Sequence, residues 1–423
     1  MSASRVVVVG GGVVGAACAY YLSRAGWRVT VVDAGAFGSG CSLANCGLIC
    51  PSHVLPLAGP GAVREAWRSL WHPRGPFSIR LRLDCSLWAW LAEFLLRCNR
   101  PAAVASGRAR QPLLSSSFAL YRELIQEEGI QCEWQERGLL FVLPDPAAMA
   151  ACDGMVELIE EVFPHSPVRY DGQALVEFEP ALKPGLAGGW YYRGEAHLRP
   201  DRLMTSWRRV LETRGVEIWE HRPVRAFSRR GRVVVAAETA QGPLRADAFV
   251  IAAGAYTPPL SRRLGWRVPI QPGKGYSMTT AYPACRPRVP LLFPAHRVAV
   301  TPMQSAYRLG SIMELAGYDL SLDHRRLRLL VEGAAVYLRA PHGQPIQETW
   351  CGLRPLTADG LPFIDRYPNT DNAYVAAGHN MVGMSMAPAT GKLIAELLSG
   401  QPPHVDPAPY CFDRLPLLAR LAS

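Results

Sequence analysis

The stretch Arg5-Val6-Val7-Val8-Val9-Gly10-Gly11-Gly12-Val13-Val14-Gly15, continued by Trp27-Arg28-Val29-Thr30-Val31-Val32-Asp33, decides the fold. Consecutive valines after Arg5 read as a short strand buried on both faces, because a parallel sheet covered by helices needs no polar alternation. The apolar run through Leu22, ending near Gly26, reads as a helix, and Trp27 to Val32 as the next strand. Gly10, Gly12 and Gly15 fall at the strand-to-helix turn. The first makes the tight turn, the second lets a pyrophosphate approach the backbone, and the third lets helix and strand pack closely. The helix N-terminus, at Val13 and Val14, then faces the phosphates. Asp33 can accept hydrogen bonds from ribose hydroxyls and repels a 2′-phosphate, which disfavours NADP. Strand, glycines, helix, strand and acid in this order predict a dinucleotide site, with FAD and NAD both open.

Working outward, the 423 residues exceed one ordinary domain. A hydrophobic share of 49% and a charged share of 19% describe a globular chain, not a disordered one. The net charge of +10 is mostly arginine spread along the chain, as in Arg64, Arg68, Arg74, Arg80 and Arg82. No basic block interleaved with aromatics favours nucleic acid. The first residues run straight into the valine strand, so no cleavable signal peptide is expected and the predicted location is cytoplasmic. The 11 cysteines read as reduced thiols. No apolar run reaches the roughly 18 to 20 residues of a spanning helix. The segment Leu87 to Leu96, with Trp88, Trp90, Phe94 and Leu95 behind the arginines, reads either as a core helix or as a peripheral contact with the inner face of the cell membrane.

Val216 to Trp219 and Arg232 to Glu238 read as short strands. Ala248 to Ala253 and Asn372 to Ala377 are apolar runs closed by Gly254 and Gly378, as buried parallel strands require, and a helical pattern follows at Ala389 to Leu398. Gly138 to Leu143 and Tyr307 to Met313 alternate as strands among amphipathic helices. The expected class is α/β, or α+β overall. A Rossmann-type dinucleotide-binding domain from 1–100, 196–255 and 346–423 is interleaved with a mixed-sheet substrate-binding domain from 101–195 and 256–345.

Several motifs together resemble the FAD-dependent amino-acid oxidoreductases of the D-amino-acid oxidase superfamily, especially D-amino-acid dehydrogenases and glycine oxidase. They are the glycine turn, Ser42-Leu43-Ala44-Asn45-Cys46-Gly47, Val250 to Tyr256, Lys274-Gly275-Tyr276-Ser277, Trp350-Cys351-Gly352-Leu353-Arg354-Pro355 and Gly378-His379-Asn380-Met381-Val382-Gly383. The resemblance spans nearly the whole chain and implies FAD as cofactor. It places Gly10, Gly12, Val13, Val14, Gly15, Asp33, Ala34 and Gly254 on the dinucleotide and Val224 on adenine. It places Ser42, Ala44, Asn45 and Gly47 in a loop beside the flavin, and Gly378, His379, Asn380, Met381, Val382, Gly383, Met384 and Ser385 in a turn facing the flavin pyrimidine edge.

The same resemblance assigns Arg354 to the substrate carboxylate, whose two oxygens its planar fork matches, so that the α hydrogen points at flavin N5 for hydride transfer. It suggests that the Tyr276 phenol meets the same carboxylate, with a buried core tyrosine as the other reading. Glycine oxidase carries a second arginine where this chain has Met381, which argues against glycine as substrate. Pro51-Ser52-His53 and Ala387 to Gly391 are similar to members acting on D-proline or 4-hydroxy-D-proline. His53 and His379 read as structural, because a neutral amine needs no enzymic base. Cys41, Cys46 and Cys50 fit neither a zinc nor an iron–sulfur spacing and read as small packing residues, with no metal expected. The implied reaction is dehydrogenation of a D-amino acid with electrons passed to a quinone or other carrier. An oxygen-using oxidase and a non-enzymatic dinucleotide-binding protein are the alternatives.

Overall fold

Val6 to Val9 are at most 5% exposed and lie inside a six-stranded sheet. From one edge its strands are Phe363–Arg366, Ala373–Ala377, Ala248–Ile251, Arg5–Val9, Arg28–Val32 and Glu217–Trp219. All neighbours are parallel except the first pair. This computed structural model describes residues 3–63, 75, 77–80, 82–163 and 165–415. Arg64, Trp67, Arg68 and Arg74 of the basic, tryptophan-containing stretch lie outside the described residues.

The helix Val13–Arg24 follows the first strand, and the helix Gly383–Ser399 follows Ala373–Ala377 through a short turn. Both therefore begin at the carboxyl edge of the parallel strands, where doubly wound sheets bind ligands. The two helices cross closely at Gly391, where a Cβ would stand 2.4 Å from the backbone of Ala17. The last helix starts six residues earlier than the apolar pattern from Ala389 suggests, and Pro388 lies inside it. Proline lacks the amide that would bond the carbonyl four residues back. The Tyr121 hydroxyl donates to that carbonyl, Met384 O, at 2.8 Å. Val233–Thr239, the strand expected at Arg232 to Glu238, belongs to a separate three-stranded antiparallel sheet.

A nine-stranded sheet forms the second layer, running from Ile346–Leu356 through Gln271–Thr280, Tyr307–Leu315, Val298–Pro302, Leu291–Phe293, Leu139–Leu143 and Gly188–Tyr192 to Val168–Asp171, with Phe77–Ile79 beside Tyr307–Leu315. Ile346–Leu356 and Phe77–Ile79 thus lie in the second sheet, whereas the expected division put 346–423 and 1–100 with the first. The reason is the antiparallel ladder that Ile346–Leu356 makes along the whole of Gln271–Thr280. One face of this sheet packs Leu140, Val300 and Leu309 against Leu327 and Leu330 of the helix His324–Tyr337. The other face carries Arg354 and turns toward the glycine-turn domain.

Leu48–Ile49 pairs with Ala196–His197 where the two layers meet. Next to it Glu195 is 1% exposed, and its Oε1 accepts the Ser52 amide at 3.0 Å. Burial pushes this carboxyl up from 4.5 to about 7, outweighing the opposing hydrogen bonds from Ser52 and Cys50. In that window the native state keeps a proton that the unfolded chain has released, so this contribution to stability is full below pH 4.5 and is lost as pH rises through 7. The shift is worth on the order of 3 kcal/mol. Glu195→Gln should therefore flatten the fall in unfolding free energy between pH 4.5 and pH 7, measured by denaturant titration. Parallel pH profiles for variant and parent would contradict this.

Candidate functional site

Gly10 adopts φ +115°, and a Cβ on it would stand 2.4 Å from the carbonyl oxygen of Ala252. At Gly15 a Cβ would overlap the Gly10 carbonyl oxygen. Gly12 caps the helix Val13–Arg24 without a side-chain hydrogen bond, and no acid lies in the first turn. The Val13 amide donates to Ser42 Oγ at 2.9 Å, while those of Val14 and Gly15 belong to the first turn and have no intrahelical acceptor. The helix Gly383–Ser399 likewise starts at Val382 with no side-chain cap and no acid in its first turn. Two helix N-termini without competing carboxylates, one behind a backbone bare of side chains, suit a pyrophosphate.

Asp33 ends the second strand. Its Oδ2 accepts the Gly11 amide at 2.6 Å and its Oδ1 the Gly35 amide at 2.7 Å, which leaves each oxygen a further lone pair. Burial raises its pKa, and these two amides oppose the shift. Ala34 is exposed beside it. The segment leading to half-buried Val224 is held alongside, the Arg222 amide donating to Asp33 O at 2.7 Å and the His221 amide to Gly35 O at 3.0 Å. Gly254, at φ +55°, opens the turn after Ala248–Ile251, with open space where its Cβ would be. The donor set and the glycine backbone fit FAD.

The loop from Ser42 to Cys50 is fastened to three separate elements. Ser42 Oγ holds it to the glycine turn, and Ala44 beside it is 2% exposed. Ser385 Oγ accepts the Cys50 amide and donates to Leu48 O, both at 3.1 Å, fixing the loop to the last helix. Arg308, 2% exposed, donates to Thr279 Oγ1 at 2.9 Å, to Asn45 O at 2.7 Å and to Leu43 O at 3.2 Å, fixing it to the second sheet. Asn45 Oδ1 accepts the Gly47 amide at 2.8 Å. Gly47 itself has φ +74°, and a Cβ there would stand 2.0 Å from Leu198 O.

The turn after Ala373–Ala377 is fastened in the same way. Gly378 has φ +88°. Asn380 accepts the Thr357 amide at 3.0 Å and donates to Thr357 Oγ1 and Gly378 O at 2.9 Å each, and its own amide donates to Pro355 O. This turn is thereby tied to the chain immediately after Arg354. His379 is buried and bonds Thr390 Oγ1 at 2.9 Å, and burial pushes its pKa down to about 3. Met381 is 40% exposed, whereas Val382 and Met384 are buried.

Arg354 donates to Ile312 O at 3.1 Å, and its guanidinium lies flat over Gly275, where a Cβ would meet Cζ at 2.5 Å. Among the described residues it has no carboxylate partner. Burial lowers its pKa, opposed by Cys41 and Cys46, whose own pKa values burial raises. The Cys46 thiol sits over Gly310, and the buried Ser277 Oγ on the same sheet face has no hydrogen-bond partner among the described residues.

Tyr276 does not join Arg354. In the ladder Tyr276 pairs with Cys351 and Arg354 with Gly273, an odd offset that puts the two side chains on opposite faces. The Tyr276 hydroxyl instead donates to Glu314 Oε2 at 3.1 Å, and its ring lies in the core beneath the helix His324–Tyr337. Ala387 to Gly391 are buried in the crossing of the two helices. The His53 ring packs edge-on to Phe141, and burial lowers its pKa to about 4.

Sequence reading did not single out Arg308 or Thr357. An arginine within the alternating apolar strand at 307–313 was the available signal for the first; nothing marked the second. Arg308→Ala removes three hydrogen bonds from a buried cation and should lower FAD affinity roughly tenfold or more, read by flavin fluorescence on dilution. Unchanged retention of flavin would refute the fastening role.

The FAD dependent oxidoreductase family model matches residues 5–397. The chain is 34% identical to the D-amino acid dehydrogenase of Granulibacter bethesdensis, covering 97% of this chain and 99% of that relative. It is also 34% identical to that of Paramagnetospirillum magneticum, with 97% and 98% covered. Among solved structures, glycine oxidase from Geobacillus kaustophilus superposes with a TM-score of 0.78 at 22% identity, over 97% of this chain and 99% of that one. L-proline dehydrogenase from P. horikoshii gives 0.71 at 20%, over 97% and 96%. These two solved structures share the fold. With the glycine turn, the two uncapped helix starts and a family match over nearly its whole length, the chain belongs to the FAD dependent oxidoreductase family.

Proposed function

We propose that this protein is a D-amino acid dehydrogenase whose substrate carboxylate rests on Arg354. The observation that carries this reading is a half-buried guanidinium with a single carbonyl bond and no carboxylate partner among the described residues. Most of its donors are left open, and a planar fork is matched best by a carboxylate. Gly275 makes room for the guanidinium itself, and the Ser277 hydroxyl, unpartnered among the described residues, lies on the same sheet face. With Met381 at the mouth of the turn and no second arginine there, an apolar or cyclic side chain, such as that of D-proline or 4-hydroxy-D-proline, fits better than glycine.

Bound FAD supplies a two-electron acceptor for the hydride on the substrate α carbon. Gly10, Gly12, Val14, Gly15, Asp33 and the start of Gly383–Ser399 would hold it. Arg354 orients the carboxylate and thereby the α carbon. His53 and His379 are neutral at physiological pH and take no proton from the substrate, which reacts as the free amine. The imino acid formed hydrolyses in water, or remains a cyclic imine when the substrate is a ring.

Arg354→Ala should lower kcat/KM for D-amino acids roughly a hundredfold or more, with flavin content unchanged, in an anaerobic assay with an artificial acceptor. Parent-like kinetics with every D-amino acid in a panel from D-alanine to D-proline would sink the assignment. Turnover with oxygen as fast as with the acceptor, accompanied by stoichiometric peroxide, would favour an oxidase.

The electron acceptor in this reading is a membrane quinone, reached by peripheral contact. Support comes from the helix Cys85–Arg97, where Trp88, Leu95 and Leu96 are 49%, 51% and 65% exposed along one side and Leu83 precedes it fully exposed. Arg97 at its end and Arg100 at the start of the next helix are paired with Glu93 and Glu161, so the apolar side chains carry this support. No helix of the described residues is long and apolar enough to cross a membrane. Sedimentation with anionic liposomes at low salt should carry down the parent but not a Trp88→Ser/Leu95→Ser/Leu96→Ser variant. A parent left in the supernatant would remove the idea.

A further inference from the structure

The face of Gln271–Thr280 opposite Arg354 carries charge that the reaction does not use. Lys274 is 1% exposed, with its ammonium 3.3 Å from Asp319 Oδ2 and 5.4 Å from the centre of the Tyr276 ring. It forms the floor of a cleft of about 570 Å³ that the helix His324–Tyr337 leaves uncovered, with Arg325 and Arg328 on its rim.

The carboxylates in this cleft are already engaged. Glu314 accepts the Tyr276 hydroxyl, Asp319 takes Lys274 and the Ser321 amide, and Asp323 caps the helix through the Arg325 amide at 2.8 Å. Four cations, Lys274, Arg80, Arg325 and Arg328, line the cleft against these three carboxylates, and Arg80 shares Asp319 with Lys274, its guanidinium 3.9 Å from Oδ2. Lys274 has three N–H donors and one acceptor, and the guanidinium groups of Arg325 and Arg328 have no partner among the described residues. Asp319 is the partner of the buried ammonium, so the exposed guanidinium groups of Arg325 and Arg328 are the donors left beside it for an added anion.

We propose that this cleft is a second ligand site, separated from Arg354 by the thickness of the sheet, which takes a small molecule bearing an oxyanion, carboxylate or phosphate, on Lys274, Arg325 and Arg328. It does not depend on which amine is oxidised. Lys274 and Tyr276 flank Gly275, the residue on which the Arg354 guanidinium rests, so an anion bound here bears on the strand that sets the substrate arginine.

The test is isothermal titration of FAD-loaded Arg354→Ala protein, in which the substrate arginine is gone, with succinate and separately with inorganic phosphate. At least one probe should bind saturably at one site. Affinity should fall roughly tenfold or more in Arg325→Ala/Arg328→Ala and in Lys274→Met. Binding of succinate alone identifies an organic carboxylate, and binding of phosphate alone a phosphate ligand. Because Lys274 is buried, the exposed double arginine variant carries the result if Lys274→Met fails to fold. Saturable binding by neither probe, or unchanged affinity in the double variant, overturns the proposal.

Discussion

A half-buried guanidinium with no carboxylate partner among the described residues is the constraint around which the rest of this molecule is arranged. Arg354 reaches its position because Gly275 beneath it has no side chain, and its one internal bond, to Ile312 O, leaves most of its donors for something else. Such a group is tolerated only where its surroundings are held firmly enough that it cannot swing out to water.

The fastening comes from residues far apart in sequence. Arg308 joins the second sheet to the loop from Ser42, and Ser385 joins that loop to the last helix. Asn380 joins the turn before that helix to Thr357, three residues beyond Arg354. The loop from Ser42, the turn before the last helix and the strand that carries Arg354 thus share one hydrogen-bonded frame. If Arg354 takes the substrate as proposed, anchors for substrate and cofactor set in one frame favour oriented transfer between the two.

Much of this was legible in the sequence because local rules dictate it. The valine strand, the glycine spacing and the acid at Asp33 can be read from neighbours alone, and Gly10 and Gly15 have the close backbone contacts their places required. Motif resemblance carried Arg354, which no periodicity would have found. What was not legible depends on long-range pairing. The face on which Tyr276 lies is fixed by its register against Cys351, seventy-five positions away, and one step of register reverses it. Pro388 inside the last helix is acceptable only because Tyr121, from a distant helix, supplies the missing donor. The fastening role of Arg308 likewise exists only once strand and loop are brought together.

The most direct measurement is a crystal structure of the FAD-loaded protein with a non-oxidisable carboxylic acid bound. The account predicts both carboxylate oxygens on the Arg354 guanidinium, on the sheet face of Gly275 and Ser277, with the α position toward the flavin ring. A carboxylate bound elsewhere, with Arg354 remote from the flavin, would contradict it.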